Sequence, residues 1–370
     1  MSIISSAFIA ISIILFTLVS FQNKKISLKT IVLIMLPFLV GVVIYGYNFQ
    51  PIEADDLFRY YFEMNRYMTQ NFNEFYSNST WSSTIISSAI MFLISKTGDI
   101  NLLGGLTIVL YFLTFVIVIL ILGKGKKSSR GIFFIFLFFI SNLYIYEFIS
   151  ITRFSMGIFF ITLVIYLDFF KLENKYIVLL LYFVSFFIHT SLIAFLGIRL
   201  IFMIKNNVVK YSFLIITPFI IKGLSSLLTL TQIPFLVDLA IKIAATSTTS
   251  ALFTSWIRIV IYLMIILLIL IVIIGYTRVT TTQKIKNNNI SYKYINYCRF
   301  LLALIVFLLT TPFWMQLAFH RFIQVIIVLS LPILYNYFFH TRRSALKYVL
   351  FSITIAISIS NIIYQLLLYV

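Results

Sequence analysis

The sequence predicts an all-α polytopic membrane protein with about ten full transmembrane helices and two irregular or re-entrant segments, 83–97 and 176–204. Three observations lead there. Of the 370 residues, 62% are hydrophobic and only 10% charged, against roughly 25% charge in a soluble domain. Apolar runs such as LYFLTFVIVILILG and VIYLMIILLILIVIIGY are continuous, whereas a membrane barrel needs short alternating segments. The runs also lie close to the ~20 residues that one helical crossing requires.

In order, the spans are read as 2–21, 30–48, 101–122, 131–149, 154–170, 211–229, 256–276, 300–318, 322–339 and 349–368. The first has no basic residue before it and Lys24, Lys25 and Lys29 after it. Its amino terminus is therefore expected outside, and the helix is expected to be retained rather than removed as a signal. Segment 83–97 is short for a crossing, and 176–204 is long for one helix and short for two.

Charge orients the rest. Net charge is +18, with most basic residues in Lys24–Lys29, Lys124–Arg130, Lys171–Lys175, Lys205–Lys210, Arg278–Arg299 and Arg342–Lys347. All six clusters face the cytoplasm together if 83–97 dips in without crossing and 176–204 goes out and returns with His189 near its turn. The positive charge then reports orientation and contact with anionic membrane lipid, and no nucleic-acid partner is expected. The single cysteine, Cys298, is placed in a basic cytoplasmic loop, so neither an intrachain disulfide nor a cysteine metal site is expected.

The chain reads as one integral membrane domain, 1–370. It carries an extracytoplasmic acidic and aromatic loop at 49–82 and a second extracytoplasmic stretch at 230–255. The cytoplasmic connections hold no glycine-rich phosphate loop, and no cofactor is implied.

Chemistry is sought on the outer side. Half of the ten carboxylates, Glu53, Asp55, Asp56, Glu63 and Glu74, fall in the first outer loop, a concentration that the orientation rule does not demand. At helical spacing Asp55 and Arg59 are i,i+4, as are Asp56 and Tyr60, so an acid and a base share one face with tyrosines beside them. Carboxylates take a proton from an attacking sugar hydroxyl, and aromatic rings offer sugars an apolar platform. A solvated loop is the plain alternative.

Glu147 and Arg153 flank the next outward turn, where an interfacial anchor competes with an arginine that forks onto phosphate at headgroup depth. His189 interrupts an apolar run, and an ionisable group there is a functional candidate beside its packing role. His320 and Arg321 pair a titratable group with a permanent cation at another outer turn. The histidines at 189, 320 and 340 lack zinc spacing, and no metal is assigned. Asp238 and Lys242 read as an exposed i,i+4 pair of structural value only.

In order, EADDLFRYY, SITRFSMGIFF, FFIHTSLI and a late HRF before a leucine–proline helix resemble the EpsG-like branch of the Wzy-type O-antigen and capsular polysaccharide polymerases, over residues ~50 to ~335. The resemblance implies an integral glycosyltransferase that polymerises undecaprenyl-pyrophosphate-linked oligosaccharide repeat units on the outer face of the bacterial cytoplasmic membrane. It would use lipid-linked glycan as donor and acceptor, with a chain-length regulator as a possible partner. It maps the helix-opening arginine to Arg153, the helix histidine to His189 and the late arginine to Arg321, with either Asp55 or Asp56 as the first-loop acid. On that reading Asp55, Asp56 and His189 are the catalytic candidates. Arg59, Tyr60, Glu147, Arg153, His320 and Arg321 bind pyrophosphate and substrate. A lipid-linked oligosaccharide flippase or transporter, and a membrane O-acyltransferase acting on polysaccharide, are the alternatives.

Overall fold

The structure, a computed structural model, describes residues 3–21, 25–53, 55–79, 84–123, 125–143, 145–229, 237, 240–241, 256–282, 289–311, 316–340 and 345–369. Of the described residues 86% are helical, as the continuous apolar runs predict. Among the described residues six helices are long and apolar enough to cross a membrane, and six further apolar helices are shorter. Most of the 230–255 stretch, with Asp238 and Lys242, lies outside the described residues.

The chain forms two compact units, one of residues 1–78, 87–159 and 334–370, the other of 79–86 and 160–333. In the first, α1 (Ile3–Phe21) packs on α2 (Leu28–Tyr47), and α2 on α6 (Leu102–Ile121). The α2–α6 crossing is set by glycine. A Cβ on Gly104 would collide with the Gly46 carbonyl oxygen, and one on Gly46 would lie 2.8 Å from the Gly104 carbonyl oxygen. The backbones therefore touch, as helices do in membranes where small residues meet.

Between these two helices the chain makes an excursion that ends where it began. Tyr47, the last residue of α2, donates its hydroxyl to Asp99 at 2.7 Å. The left-handed Gly98 (φ 79°) turns the chain into that position. The excursion holds α3 (Asp56–Thr69), α4 (Phe72–Ser79) and α5 (Ile85–Ser95). At 11 residues, α5 rises only ~16 Å, short of a ~30 Å hydrocarbon core.

At the other end of the α2–α6 pair, β1 (Lys25–Ile26) pairs antiparallel with β2 (Lys127–Ser128). Two basic linkers are thereby brought to one end of the unit. Lys127 donates to the Leu122 carbonyl at 2.7 Å, and burial pulls its pKa down.

The expected span 131–149 is instead two pieces, α7 (Ser129–Asn142) and α8 (Ile145–Ser150). Ser141 and Asn142 bond back to the Phe138 carbonyl, and Leu143 leaves the helical region at φ −105°, ψ 96°. Short polar side chains that compete for backbone carbonyls end the helix. The freed Leu143 carbonyl accepts the buried Tyr111 hydroxyl at 3.0 Å. After α8 the chain turns at Ile151 into α9 (Thr152–Tyr166), and Ser155 Oγ donates to the Phe148 carbonyl at 2.5 Å.

In the second unit α9 continues into a π turn, Leu167–Lys171. The segment 176–204 follows as α10 (Lys175–Phe186), a 3₁₀ turn (Thr190–Leu192) capped by His189, and α11 (Ile193–Phe202). Then come α12 (Asn207–Thr229), α13 (Trp256–Thr282), α14 (Asn289–Leu309) and α15 (Gln316–His340), whose last residues belong to the first unit along with α16 (Ala345–Tyr369).

The α14 helix is central to this unit, touching α11, α12, α13 and the π turn. It starts about ten residues before the expected span 300–318 and ends at Leu309. This corrects the placement of Cys298, which is buried mid-helix and not in a loop. Tyr294, Tyr297 and Cys298, at helical i, i+3 and i+4, form its inward face. The basic residues around them hid that periodicity from an apolar-run reading. Tyr297 donates to the Leu329 carbonyl at 2.6 Å, in the turn before Pro332.

The glycine contact predicts that Gly104→Ala lowers stability by about 1–3 kcal/mol through overpacking. Gly105→Ala, whose Cβ would meet nothing nearer than Tyr47 Cβ at 3.9 Å, should be neutral. Thermal midpoints of the two purified variants in detergent check this, and equal midpoints would remove the close approach as a determinant.

Candidate functional site

The first-unit candidates gather around α3. Its buried face is Leu57, Tyr60 and Met64, at i, i+3 and i+7, which leaves Phe58, Arg59 and Phe62 outward. Asp55 precedes the helix and is 7% exposed. Its backbone N–H donates to the Ile52 carbonyl at 2.9 Å, and its Oδ2 accepts the Ile52 N–H at 3.0 Å, closing a tight turn. Tyr146 then donates its hydroxyl to Asp55 Oδ1 at 3.1 Å, and the Tyr146 ring stands edge-on to Phe49.

The expected shared face of Asp55 and Arg59 is not formed. Arg59 pairs with Asp56 at i,i+3, and the Arg59 side chain is 68% exposed. Once Asp55 takes the extended cap conformation (φ −80°, ψ 140°) it leaves the helical face, and Asp56 in the first turn is the acid that Arg59 can reach. An exposed pair of this kind contributes at most ~1 kcal/mol.

Arg153, the second residue of α9, lies with its guanidinium carbon 4.1 Å from the Tyr60 ring centroid. Its Nη2 donates to both oxygens of Glu63 at 3.3 Å. Burial, and then the Glu63 carboxylate, raise the pKa of Tyr67, with Arg153, a hydrogen bond from Ser88 and Arg66 opposing. Burial, with Asp99 adding, pushes the Tyr61 hydroxyl up to about 12. Lys96 donates to the carbonyls of Tyr67 at 2.7 Å, Met68 at 3.1 Å and Gln70, a cation on the C-terminal end of α3. Glu147 is buried in α8. Asp55, Tyr60, Glu147 and Arg153 thus stand with Glu63, Tyr67 and Tyr146 in one unit.

The second-unit candidates are His189, His320 and Arg321. His189 Nδ1 accepts the Ser191 backbone N–H at 3.3 Å and lies 2.8 Å from Ser191 Oγ, an arrangement that assigns the proton of a neutral ring to Nε2. That Nε2 is 3.5 Å from Arg321 Nη1, so two nitrogen donors converge. Phe322 packs edge-on to Phe195 and Phe307, which seats this part of α15 on α11 and α14. His320, expected at an outer turn, is buried on the second turn of α15 beside the Gln324 amide and the Tyr262 ring. The helix begins at Gln316, so the His-Arg pair faces protein rather than forming a loop.

Sequence reading passed over Glu63 as the partner of Arg153, Tyr146 as the partner of Asp55, and the ion pair of Arg199 with Asp168. In the last, Nε and Nη2 bond both carboxylate oxygens, at 2.6 and 3.0 Å, with side chains only 13% and 6% exposed. Tyr182 adds a third bond to Asp168 at 3.2 Å, and the guanidinium stands by the rings of Phe169 and Phe202. The signal was present, because a charge in an apolar run demands a partner. Among the described residues no three His, Cys, Asp or Glu side chains lie together in a way that holds a metal ion. No protein-family model, curated protein or solved structure matches the chain.

The Asp168–Arg199 pair ties the π turn that ends α9 to α11, the second arm of the hairpin that turns at His189. Arg199→Met alone should leave a buried carboxylate without its cation and cost about 3–5 kcal/mol. The double variant Asp168→Leu/Arg199→Met should recover most of that stability. Thermal midpoints in detergent test this, and a double variant no better than the single would mean that the pair does more than tie the hairpin.

Proposed function

We propose that the chain is an integral membrane glycosyltransferase joining polyprenyl-pyrophosphate-linked oligosaccharide repeat units, as the resemblance to the EpsG-like polymerases implies. In this reading about ten helices cross the bacterial cytoplasmic membrane, and the candidate residues face its outer side. Donor and acceptor are undecaprenyl-pyrophosphate-linked glycans, and a chain-length regulator is the natural protein partner.

The observation that carries the reading is the approach of His189 Nε2 to Arg321 Nη1, 3.5 Å across 132 positions. Two donors at that separation suit an oxyanion shared between them, and a guanidinium adds charge-assisted bonds to phosphate. Arg153, seated on Tyr60 and held by Glu63, offers a second guanidinium, and the reaction brings two lipid pyrophosphates.

The acceptor hydroxyl oxygen attacks the anomeric carbon of the donor. The bond from that carbon to the pyrophosphate oxygen breaks, and the pyrophosphate leaves with the electron pair while a guanidinium offsets its charge. The hydroxyl proton passes to a carboxylate, assigned here to Asp55. It is the buried one of the pair and has Tyr146 as its neighbour, whereas Asp56 is matched by Arg59 at the surface. The glycosyl–pyrophosphate bond supplies the energy, so neither nucleotide nor ion gradient is required.

Polymer formed from purified lipid-linked repeats, without acyl donor, ATP or gradient, tests the function. Arg153→Ala and Arg321→Ala should each stop chain growth and leave single repeats on lipid at normal membrane levels. Asp55→Asn should lower the rate about 10²–10⁴-fold, the range for a general base, and Asp56→Asn should change it little. Normal polymer from both arginine variants would overturn the assignment. Movement of lipid-linked repeats across vesicles without polymer would favour a flippase, and dependence on an acyl donor an O-acyltransferase.

A further inference from the structure

One cavity in the first unit is unlike the candidate clusters in both place and chemistry. It has a volume of about 520 Å³, within the ~300–1,000 Å³ range of small-molecule sites. The end of α1, the start of α7, the last turn of α15 and the start of α16 enclose it. Its depth is apolar and aromatic, where Phe134 stacks on Phe351 at 4.7 Å and Phe338 stands edge-on to both.

Two cations line the same cavity, Arg130 and Lys347. Arg130 is the second residue of α7 and Lys347 the third of α16. Along α7 the lining runs Arg130, Phe134, Leu137, and along α16 Lys347, Phe351, Ile355. Both series keep the i, i+4, i+7 or i+8 spacing of one helix face. Each starts with a cation and continues apolar for roughly 10–12 Å of helix rise. Lys347 is only 8% exposed, and Arg130 Nε donates to the Ser20 carbonyl at 3.3 Å, so both cations are held in the wall of the cavity.

The charged mouth lies at a particular end of the unit. Residues 129 and 130 follow directly on β2, which pairs with Lys25–Ile26, and the Ser128 N–H donates to Tyr335 on the last turns of α15. This is the end that gathers the basic linkers, the side that faces anionic lipid under the positive-inside rule.

We propose that this slot binds one anionic phospholipid from the inner leaflet. Its phosphate lies between Arg130 and Lys347, and one acyl chain runs along Phe134, Phe351 and Ile355. Charge complementarity selects the occupant. A zwitterionic headgroup brings an ammonium to a mouth that already holds two cations, whereas an anionic glycerol headgroup brings none. The assignment is independent of the polymerase reading, because it concerns the opposite leaflet and shares no residue with the proposed chemistry.

The test is native mass spectrometry of the full chain delipidated in detergent and titrated with phosphatidylglycerol, phosphatidylcholine or inorganic phosphate. The wild type should retain one phosphatidylglycerol in preference to phosphatidylcholine. Arg130→Gln/Lys347→Gln should weaken that retention roughly thirtyfold, as expected for the loss of two interfacial charges, and the charge-keeping Arg130→Lys/Lys347→Arg should restore it. Phe351→Ala should weaken retention of long-chain but not short-chain phosphatidylglycerol.

Equal retention of both phospholipids, or retention unchanged by charge removal, would overturn the proposal. So would displacement of the lipid by millimolar phosphate, which would make this a small-anion site. A shift of Arg130→Gln/Lys347→Gln from dimer to monomer without loss of bound lipid would also overturn it, by making the slot a face between copies. Size-exclusion profiles of every variant separate loss of binding from loss of fold. Should the double Gln variant unfold, the Phe351→Ala chain-length comparison decides alone.

Discussion

Hydrocarbon supplies no hydrogen-bond partner, so a peptide group or charge placed in it must be answered from within the chain. Regular helices meet that demand by themselves. At two breaks among the described residues, a side chain meets it instead. The break after α7 exposes the Leu143 carbonyl, and Tyr111 covers it. The turn between α8 and α9 exposes the Phe148 carbonyl, and Ser155 covers that.

Such interruptions are also where polar chemistry is affordable. Asp55 sits in the turn that opens α3, Glu147 and Arg153 stand on either side of the bend at Ile151, and His189 caps the turn between α10 and α11. A group that needs an irregular backbone, or that satisfies one, is held in a defined direction by the same bonds. Asp55, Glu147, Arg153 and His189 are therefore fixed by backbone geometry at helix ends, whereas Tyr60, His320 and Arg321 are carried on helix faces.

The arginines show how environment sorts one residue type into different duties. Arg199 bonds both oxygens of a buried carboxylate and serves as a tie. Arg59 pairs with Asp56 at an exposed surface, where screening leaves little energy or selectivity. Arg153 and Arg321 lie between these limits, half-buried and next to an aromatic or imidazole ring. That setting keeps each guanidinium oriented by a neighbouring ring. Arg130 is a fourth case, anchored by one bond to Ser20 at the mouth of an apolar slot.

Apolar content and run length by themselves determined the all-α membrane class, because burial in lipid is a property that each segment carries locally. The same local reading found the irregularity of 83–97 and the turn at His189, since a segment too short or too long for one crossing shows it in its length. It failed at 131–149, where Ser141 and Asn142 end a helix through bonds that hydropathy does not register, and at Cys298, where basic residues masked an inward-facing helical stripe. Partner choice was beyond it altogether. Glu63 and Arg153 are 90 positions apart, Asp168 and Arg199 are 31, and Asp55 was given to Arg59 when the folded chain gives it to Tyr146. Coulomb and hydrogen-bond energies depend on separations of a few ångströms in space. Only the packing of helices distant along the chain decides those, so tertiary structure alone could say which charge meets which.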